Sequence, residues 1–66
     1  MTVIVNGEPR TLPDQSPVAA LLRDLKLDKG ACAVEVNKKL VPKSRHPDHT
    51  LAEGDRIEVV TLVGGG

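Results

Sequence analysis

The chain has no phenylalanine, tyrosine or tryptophan. Its hydrophobic core must therefore be built from aliphatic residues, chiefly Val, Leu, Ile and Ala. Proteins that bind single-stranded nucleic acid commonly stack the bases on aromatic side chains. The absence of aromatic residues argues against a binding site of that kind.

An excess of charge of one sign is also lacking. Nine Lys and Arg residues balance nine Asp and Glu residues, so the formal net charge at pH 7 is zero. A neutral chain has no overall field to attract nucleic acid or an anionic membrane surface. We therefore expect no nucleic-acid or membrane partner, and we expect binding surfaces that are local and specific in shape.

Cysteine and long apolar runs are scarce. Cys32 is the only cysteine, which excludes an internal disulfide. No apolar run approaches the ~20 residues that a membrane-spanning helix needs. The first residues also lack the basic and then apolar pattern of an export signal. These features predict a cytoplasmic protein.

The length of 66 residues allows one small domain, which buries roughly 60% of the surface that its unfolded chain exposes. Such a domain has little room for a deep catalytic cleft. No nucleophile, base and orienting group cluster in the sequence. We expect a protein that is not itself an enzyme and has no cofactor of its own.

Short β-prone segments alternate with turn residues along most of the chain. Residues 2–5 lead into Asn6-Gly7, the dipeptide favoured in type I′ hairpin turns. Residues 8–12 form the predicted return strand, and Pro9 indicates that this strand lies at a sheet edge. Further strands are predicted at 31–37, 40–41 and 56–63, and the region 43–50 is irregular with one helical turn.

One helix is predicted after the first hairpin, with Ser16 as its N-cap, Pro17 as its first residue and its end near Lys26. Its apolar residues follow a 3.6-residue period: Val18, Leu21, Leu22 and Leu25.

The order strand, strand, helix, strand, short strand, strand predicts an α+β, ubiquitin-like β-grasp. In this fold a mixed sheet of four or five strands carries one main helix on one face. We predict that residues 1–63 form this domain and that 64–66 form a flexible tail.

The tail is the feature that indicates chemistry. Gly64, Gly65 and Gly66 follow the last predicted strand, and a glycine segment can thread through a channel too narrow for side chains. A partner enzyme would then reach the carboxylate of Gly66. Because a carboxylate is anionic and a poor electrophile, it must be activated, for example by adenylation, before a sulfur nucleophile can attack it. Composition alone leaves open a plainer interpretation, a frayed chain end.

Three stretches of the chain resemble the ThiS family of sulfur carriers, which serve thiazole formation in thiamine biosynthesis. They are Val-Ile-Val-Asn-Gly-Glu at 3–8, Ala-Val-Glu-Val-Asn-Lys-Lys-Leu-Val-Pro-Lys at 33–43, and Leu-Ala-Glu-Gly-Asp-Arg-Ile-Glu-Val-Val at 51–60. Gly65 and Gly66 match the family's di-glycine end, and Gly64 is an additional glycine. Some members carry an aromatic residue shortly after the Val-Pro-basic step, where this chain has Ser44-Arg45-His46.

The resemblance implies a route for sulfur. Gly66 would be adenylated by a ThiF-type enzyme with ATP and converted to a thiocarboxylate with sulfur from a cysteine desulfurase. The thiazole synthase ThiG would then use that sulfur. The molybdopterin carriers of the MoaD type are the nearest competitor, but they usually carry phenylalanines near the last strand. Two further hypotheses remain open: a β-grasp interaction module with an inert tail, and a modifier joined to lysines through Gly66.

Alternation along the last strand divides its side chains between two faces. Ile57, Val59 and Thr61 are predicted to face the helix, and Glu58, Val60 and Leu62 to face outward. We expect Val60, Leu62 and Val63 to form a partner-binding patch beside the tail, unless a neighbouring loop covers them.

Three other features have plain interpretations. Cys32 is expected to pack in the core as a small hydrophobe. His46 and His49 have the spacing His-x-x-His, but no further ligand completes a zinc site. A basic segment (Lys38, Lys39, Lys43, Arg45) precedes an acidic one (Asp48, Glu53, Asp55, Glu58), which indicates either solvated faces or complementary docking surfaces.

Overall fold

The computed structural model describes residues 1–62. Its elements follow the predicted order: β1 (Thr2–Val5), β2 (Glu8–Thr11), α1 (Val18–Asp24), β3 (Cys32–Val36), β4 (Lys39–Val41), a single 3-10 turn (Lys43–Arg45) and β5 (Arg56–Thr61). The bounds differ from the predicted ones by one or two residues at several ends. Val63, the predicted end of β5, lies outside the described residues.

The strands form one sheet in the order β2-β1-β5-β3-β4. β1 and β5 are parallel, whereas β1–β2, β3–β4 and β3–β5 are antiparallel. The last strand of the chain therefore lies at the centre of a mixed sheet. This arrangement, with one helix on one face, confirms the predicted β-grasp, and it places β2 with Pro9 at an edge.

The core is aliphatic and lies between α1 and the inner face of the sheet. Alternate residues of the strands point into it, and α1 contributes the stripe predicted from its 3.6-residue period. The buried hydrophobic residues are Val3, Val5, Leu12, Val18, Leu21, Leu22, Val34, Val36, Val41, Leu51, Ile57 and Val59. Leu25 and Cys32 pack against this cluster while partly exposed.

Both hairpins of the sheet turn through two residues with positive φ. Asn6 and Gly7 have φ of 50° and 85°, which confirms the type I′ turn predicted from the Asn-Gly dipeptide. Asn37 and Lys38 have φ of 52° and 70° in the β3–β4 hairpin. The second turn thus has the same geometry without a glycine, and lysine adopts a backbone conformation that glycine or asparagine adopts more readily.

The prediction for the start of α1 was wrong. Pro17 has φ −80° and ψ 166°, an extended conformation, so it is the N-cap and the helix begins at Val18. The first N–H groups of the helix donate to main-chain carbonyls of the segment before β5: Val18 to His49 at 2.9 Å and Ala19 to His46 at 3.0 Å. The Ser16 hydroxyl instead donates to the carbonyl of Pro13 at 2.6 Å. Tertiary contacts therefore satisfy the helix start, and no capping side chain is needed.

The helix ends at Asp24, two residues before the predicted end near Lys26. Lys26 has φ 62°, and its N–H donates to the carbonyl of Arg23 at 3.0 Å. The N–H of Leu27 donates to the carbonyl of Leu22 at 2.8 Å. These two bonds form a Schellman motif, which closes the helix and returns Leu27 to the core surface.

No helix in the part of the chain that the structure describes has the length and apolar character of a membrane-crossing segment.

Candidate functional site

The candidate site is the end of β5, which leads into the predicted tail. β3 holds this end: Thr61 lies opposite Cys32, and the N–H of Leu62 donates to the carbonyl of Ala31 at 2.9 Å. The main chain therefore has a defined position up to Leu62. The predicted site residues Gly64, Gly65 and Gly66, and the predicted patch residue Val63, lie outside the described residues.

Asn6 holds β5 from its other side. Its Nδ2 donates to the carbonyl of Val59 at 3.2 Å, and the N–H of Val59 donates to its Oδ1 at 2.9 Å. The main chain of β1 turns away from β5 at Asn6. The side-chain amide of Asn6 therefore makes the hydrogen bonds to β5 that a further residue of β1 would otherwise make. Sequence reasoning assigned Asn6 only to a turn. This second role is indicated by an asparagine as the first central residue of a type I′ turn, once the strand before the turn is known to lie beside a central strand.

We predict that Asn6→Ala lowers the free energy of unfolding by about 2–3 kcal/mol. The substitution removes two hydrogen bonds worth about 1 kcal/mol each and places alanine at a positive φ. Asn6→Asp keeps an acceptor for the Val59 N–H but loses the donor, so its cost should be smaller. Urea unfolding followed by far-UV circular dichroism measures the free energy of unfolding of both variants. An Asn6→Ala midpoint equal to that of the wild type would contradict this role.

Asn37 has a similar role where β5 begins. Its Oδ1 accepts a hydrogen bond from the N–H of Arg56 at 3.0 Å, and its Nδ2 donates to Asp55 at 3.0 Å. Asp55 also accepts from the N–H of Ala52 at 2.8 Å, and Glu53 accepts from the N–H of Thr2 at 2.9 Å. Two acids of the predicted acidic segment thus hold the turn before β5 in place.

The outward face of the sheet exposes apolar side chains near the end of β5. Val60 and Leu62 are each 58% exposed, and Leu40 on β4 is 65% exposed. The predicted outward orientation of Val60 and Leu62 is confirmed, and no loop covers them within the described chain. Leu40 was not predicted. The alternation along β5 predicted that Thr61 faces the helix, but its side chain is exposed.

Cys32 lies where β3 meets the end of β5 and is half-buried. It packs against the core, in agreement with the predicted packing role. It also lines a cavity of about 200 Å³ between α1 and the 3-10 turn, together with Leu22, Arg23, Lys43 and His46.

The side chain of His46 packs in the core, and the main-chain carbonyls of both histidines support the start of α1. His46 is buried, and its Nε2 lies 3.1 Å from the carbonyl oxygen of Val41. The main-chain carbonyls of His46 and His49 accept hydrogen bonds from the N–H groups of Ala19 and Val18, respectively, at the start of α1. No group of three His, Cys, Asp or Glu side chains within residues 1–62 is placed to hold a metal ion.

The basic segment is exposed along one edge of the sheet. Lys38 and Lys39 lie at the β3–β4 turn and on the edge strand β4, and Lys43 and Arg45 lie on the 3-10 turn. Lysines on an edge strand discourage pairing with other sheets. Glu58 lies on the outward face of β5 and lines one surface depression together with Lys38 and Arg56.

Comparison with solved structures supports the fold. The crystal structure of the thiamine biosynthesis protein ThiS from Geobacter metallireducens superimposes with a TM-score of 0.83 at 30% sequence identity, over 100% of both chains. A five-stranded mixed sheet with one helix is therefore a ThiS-like β-grasp.

Comparison of sequences adds relatives of two kinds. The sulfur carrier protein ThiS of Thermus thermophilus is 34% identical over 64 residues, which cover 97% of this chain and 98% of the relative. A thiazole synthase of Paramagnetospirillum magneticum is 39% identical over all 66 residues, but this chain spans only 20% of its length. A thiazole synthase of Magnetococcus marinus is 36% identical, again with 20% of its length covered.

The family model described as the ThiS family matches residues 3–66, which is nearly the whole chain and includes the glycine segment. Together with the full-length similarity to the Thermus carrier and the Geobacter structure, this match decides between the two carrier families weighed from the sequence. The chain belongs to the ThiS family.

Proposed function

We propose that this chain is a sulfur carrier of thiamine biosynthesis that holds sulfur as a thiocarboxylate on Gly66. The observation that carries the proposal is the family match, which runs through the three glycines to Gly66. The fold agrees with it, because pairing with β3 and the hydrogen bond from Leu62 to Ala31 give the chain a defined position directly before the segment that contains the glycines.

The chemistry requires a displacement at phosphorus, which activates the carboxylate, followed by a displacement at the acyl carbon. A carboxylate oxygen of Gly66 attacks the α-phosphorus of ATP and pyrophosphate leaves, which gives an acyl adenylate. The terminal sulfur of a cysteine persulfide then attacks the acyl carbon and AMP leaves, which gives an acyl disulfide. A thiol attacks the cysteine sulfur of that S–S bond, so the thiocarboxylate leaves and a disulfide remains on the enzyme side. A ThiF-type enzyme would catalyse the adenylation, and a cysteine desulfurase would supply the sulfur as a persulfide. The carrier contributes a reactive terminus and no catalytic side chain.

The proposed acceptor enzyme is a thiazole synthase of the ThiG type. Two thiazole synthases contain a stretch similar to all 66 residues of this chain, although that stretch is only 20% of their length. A carrier-like stretch and a thiazole synthase share one polypeptide in those proteins. This supports an association between this chain and a separate thiazole synthase.

The proposed docking patch consists of Val60, Leu62 and Val63. Val60 and Leu62 are exposed on the strand that leads into the tail, so a partner that contacts them is also close to Gly66. Gly66 is the fourth residue after Leu62, and an extended chain spans at most about 3.3–3.6 Å per residue, which allows a reach of about 14 Å. A partner active site within that distance of the docked face would receive the terminus.

Intact-mass spectrometry tests the proposal. The purified chain is incubated with ATP, magnesium, a ThiF-type enzyme and a persulfide source, and fragmentation locates any change. The expected result is the exchange of one oxygen for sulfur at Gly66. No exchange, with an activating enzyme that loads another carrier under the same conditions, would reject the sulfur-carrier function and favour an interaction module.

A further inference from the structure

The turn between β1 and β2 contains a reactive pair of neighbours, Asn6 followed by Gly7. In such a pair the main-chain nitrogen of the glycine attacks the side-chain amide carbon of the asparagine, because glycine has no Cβ to obstruct the approach. The other asparagine of the chain, Asn37, is followed by Lys38, whose side chain hinders the same attack. Asn6 is therefore the asparagine that the sequence leaves most open to this reaction.

The reaction is a loss of ammonia followed by hydrolysis. The nitrogen of Gly7 gives up its proton and forms a bond to Cγ of Asn6, and the amide nitrogen leaves as ammonia, which gives a cyclic imide. Water then opens the imide at one of its two carbonyl carbons. The products are aspartate, or isoaspartate with the main chain running through the side-chain carbon. Either product has a new carboxylate that is ionised at neutral pH, and no oxidant or cofactor takes part.

The fold holds the amide of Asn6 away from this attack. Its Nδ2 donates to the carbonyl of Val59 at 3.2 Å, and its Oδ1 accepts from the N–H of Val59 at 2.9 Å. Because Nδ2 is the leaving group, the bond to the Val59 carbonyl must break before ammonia departs. Ring closure also requires the main chain to rotate at Asn6, which the type I′ turn holds at a φ of 50°. Reaction therefore requires the junction between β1 and β5 to open.

We propose that Asn6 is a deamidation site that the two bonds to Val59 control, and that its products keep the junction between β1 and β5 from closing fully. Aspartate still accepts from the N–H of Val59, but it has no donor for the Val59 carbonyl. Isoaspartate adds a carbon to the main chain within a two-residue turn, which disturbs the register of β1 against β2. The inference is independent of the sulfur-carrier function, because it concerns only bonds within the β-grasp domain.

The reaction records how often this junction has opened. Local opening is reversible, whereas loss of ammonia is not reversed when the strands close again. Deamidated chains therefore accumulate with time and with conditions that loosen the sheet. Val59 lies on the strand that leads into the glycine segment, so the modification weakens the support of the strand next to the functional end.

Timed incubation in mildly alkaline buffer, with and without a denaturing concentration of urea, tests the control by the fold. Mass spectrometry with fragmentation locates the exchange of NH2 for OH at residue 6. Asn6 should react about 25-fold more slowly in the folded protein than in urea, since each of two hydrogen bonds changes the opening equilibrium by about fivefold. Equal rates in buffer and in urea would overturn the proposal.

Gly7→Ala tests the nucleophile in urea, where folding plays no part. The Cβ of alanine obstructs the attacking nitrogen, so Asn6 should react severalfold more slowly in this variant than in the wild type. Asn37 is the internal control and should react severalfold more slowly than Asn6 in urea. If Gly7→Ala leaves the rate at Asn6 unchanged, the neighbouring nitrogen is not the nucleophile and the proposal is wrong.

The effect of the product is measured on aged protein. Anion-exchange chromatography separates the deamidated chains, which have one additional negative charge. These chains should unfold at a lower urea concentration than the intact chain, and the isoaspartate form should have the lowest midpoint. A deamidated chain with the midpoint of the intact chain would contradict the proposed effect on the junction between β1 and β5.

Discussion

Replacement of Gly65 by valine should lower the rate of thiocarboxylate formation at Gly66 by about a hundredfold, because a misplacement of about 1 Å at a reacting group has an effect of this size. Valine favours an extended backbone, but its branched side chain makes the segment next to the reacting residue too wide for a narrow channel. The tail would then no longer pass extended through a narrow channel to the adenylation site. The rate is measured by intact-mass spectrometry at a fixed concentration of the activating enzyme.

Gly30→Val is the matched control for this prediction. Gly30 lies in the turn before β3, its φ is not in the positive region, and a Cβ there would meet no heavy atom within 4 Å. The control should be loaded at nearly the wild-type rate. If Gly65→Val is loaded as fast as Gly30→Val, the activating enzyme does not require a slim tail, and threading is not the reason for the glycines.

Leu21→Ala should remove a large share of the free energy of unfolding. Leu21 is 0% exposed and lies in the centre of the face that α1 presents to the sheet. Removal of a buried leucine side chain costs about 2–5 kcal/mol. The free energy of unfolding of a domain of this size is of the order of 3–10 kcal/mol, so one cavity removes a large share of it.

Leu40→Ala provides the comparison, because it makes the same chemical change at a side chain that is 65% exposed. Its effect on the free energy of unfolding should stay within about 0.5 kcal/mol. Urea unfolding followed by far-UV circular dichroism is the suitable measurement, since the chain has no tryptophan or tyrosine to report by fluorescence. Similar midpoints for the two variants would show that the helix contributes little to the core.

Local signals were sufficient to predict the elements of this fold. Asn6-Gly7 predicted the first hairpin, and the 3.6-residue spacing of Val18, Leu21 and Leu22 predicted both the helix and its buried stripe. Alternation along β5 predicted that Val60 and Leu62 face outward. Each of these features depends on residues that are neighbours in the chain, so a local pattern is enough to detect it.

Contacts between distant segments were beyond such patterns. Ser16 has the residue type of an N-cap, but the N–H groups at the helix start bond to the carbonyls of His46 and His49, about thirty residues away along the chain. The bonds between Asn6 and Val59 join residues 53 positions apart. Neither contact can be identified from neighbouring residues alone, because each depends on which strand lies beside which.

The same division applies to the function. The sequence by itself determined the family, the β-grasp order of elements and the glycine segment through Gly66, since these are properties of residue type and order along the chain. Only the tertiary structure decided that Val59 holds the amide of Asn6, and that Leu40 shares the outward face with Val60 and Leu62. The physical reason is strand register: a shift of one residue between β3 and β5 would send these side chains to opposite faces of the sheet, and register is set by packing of the whole core.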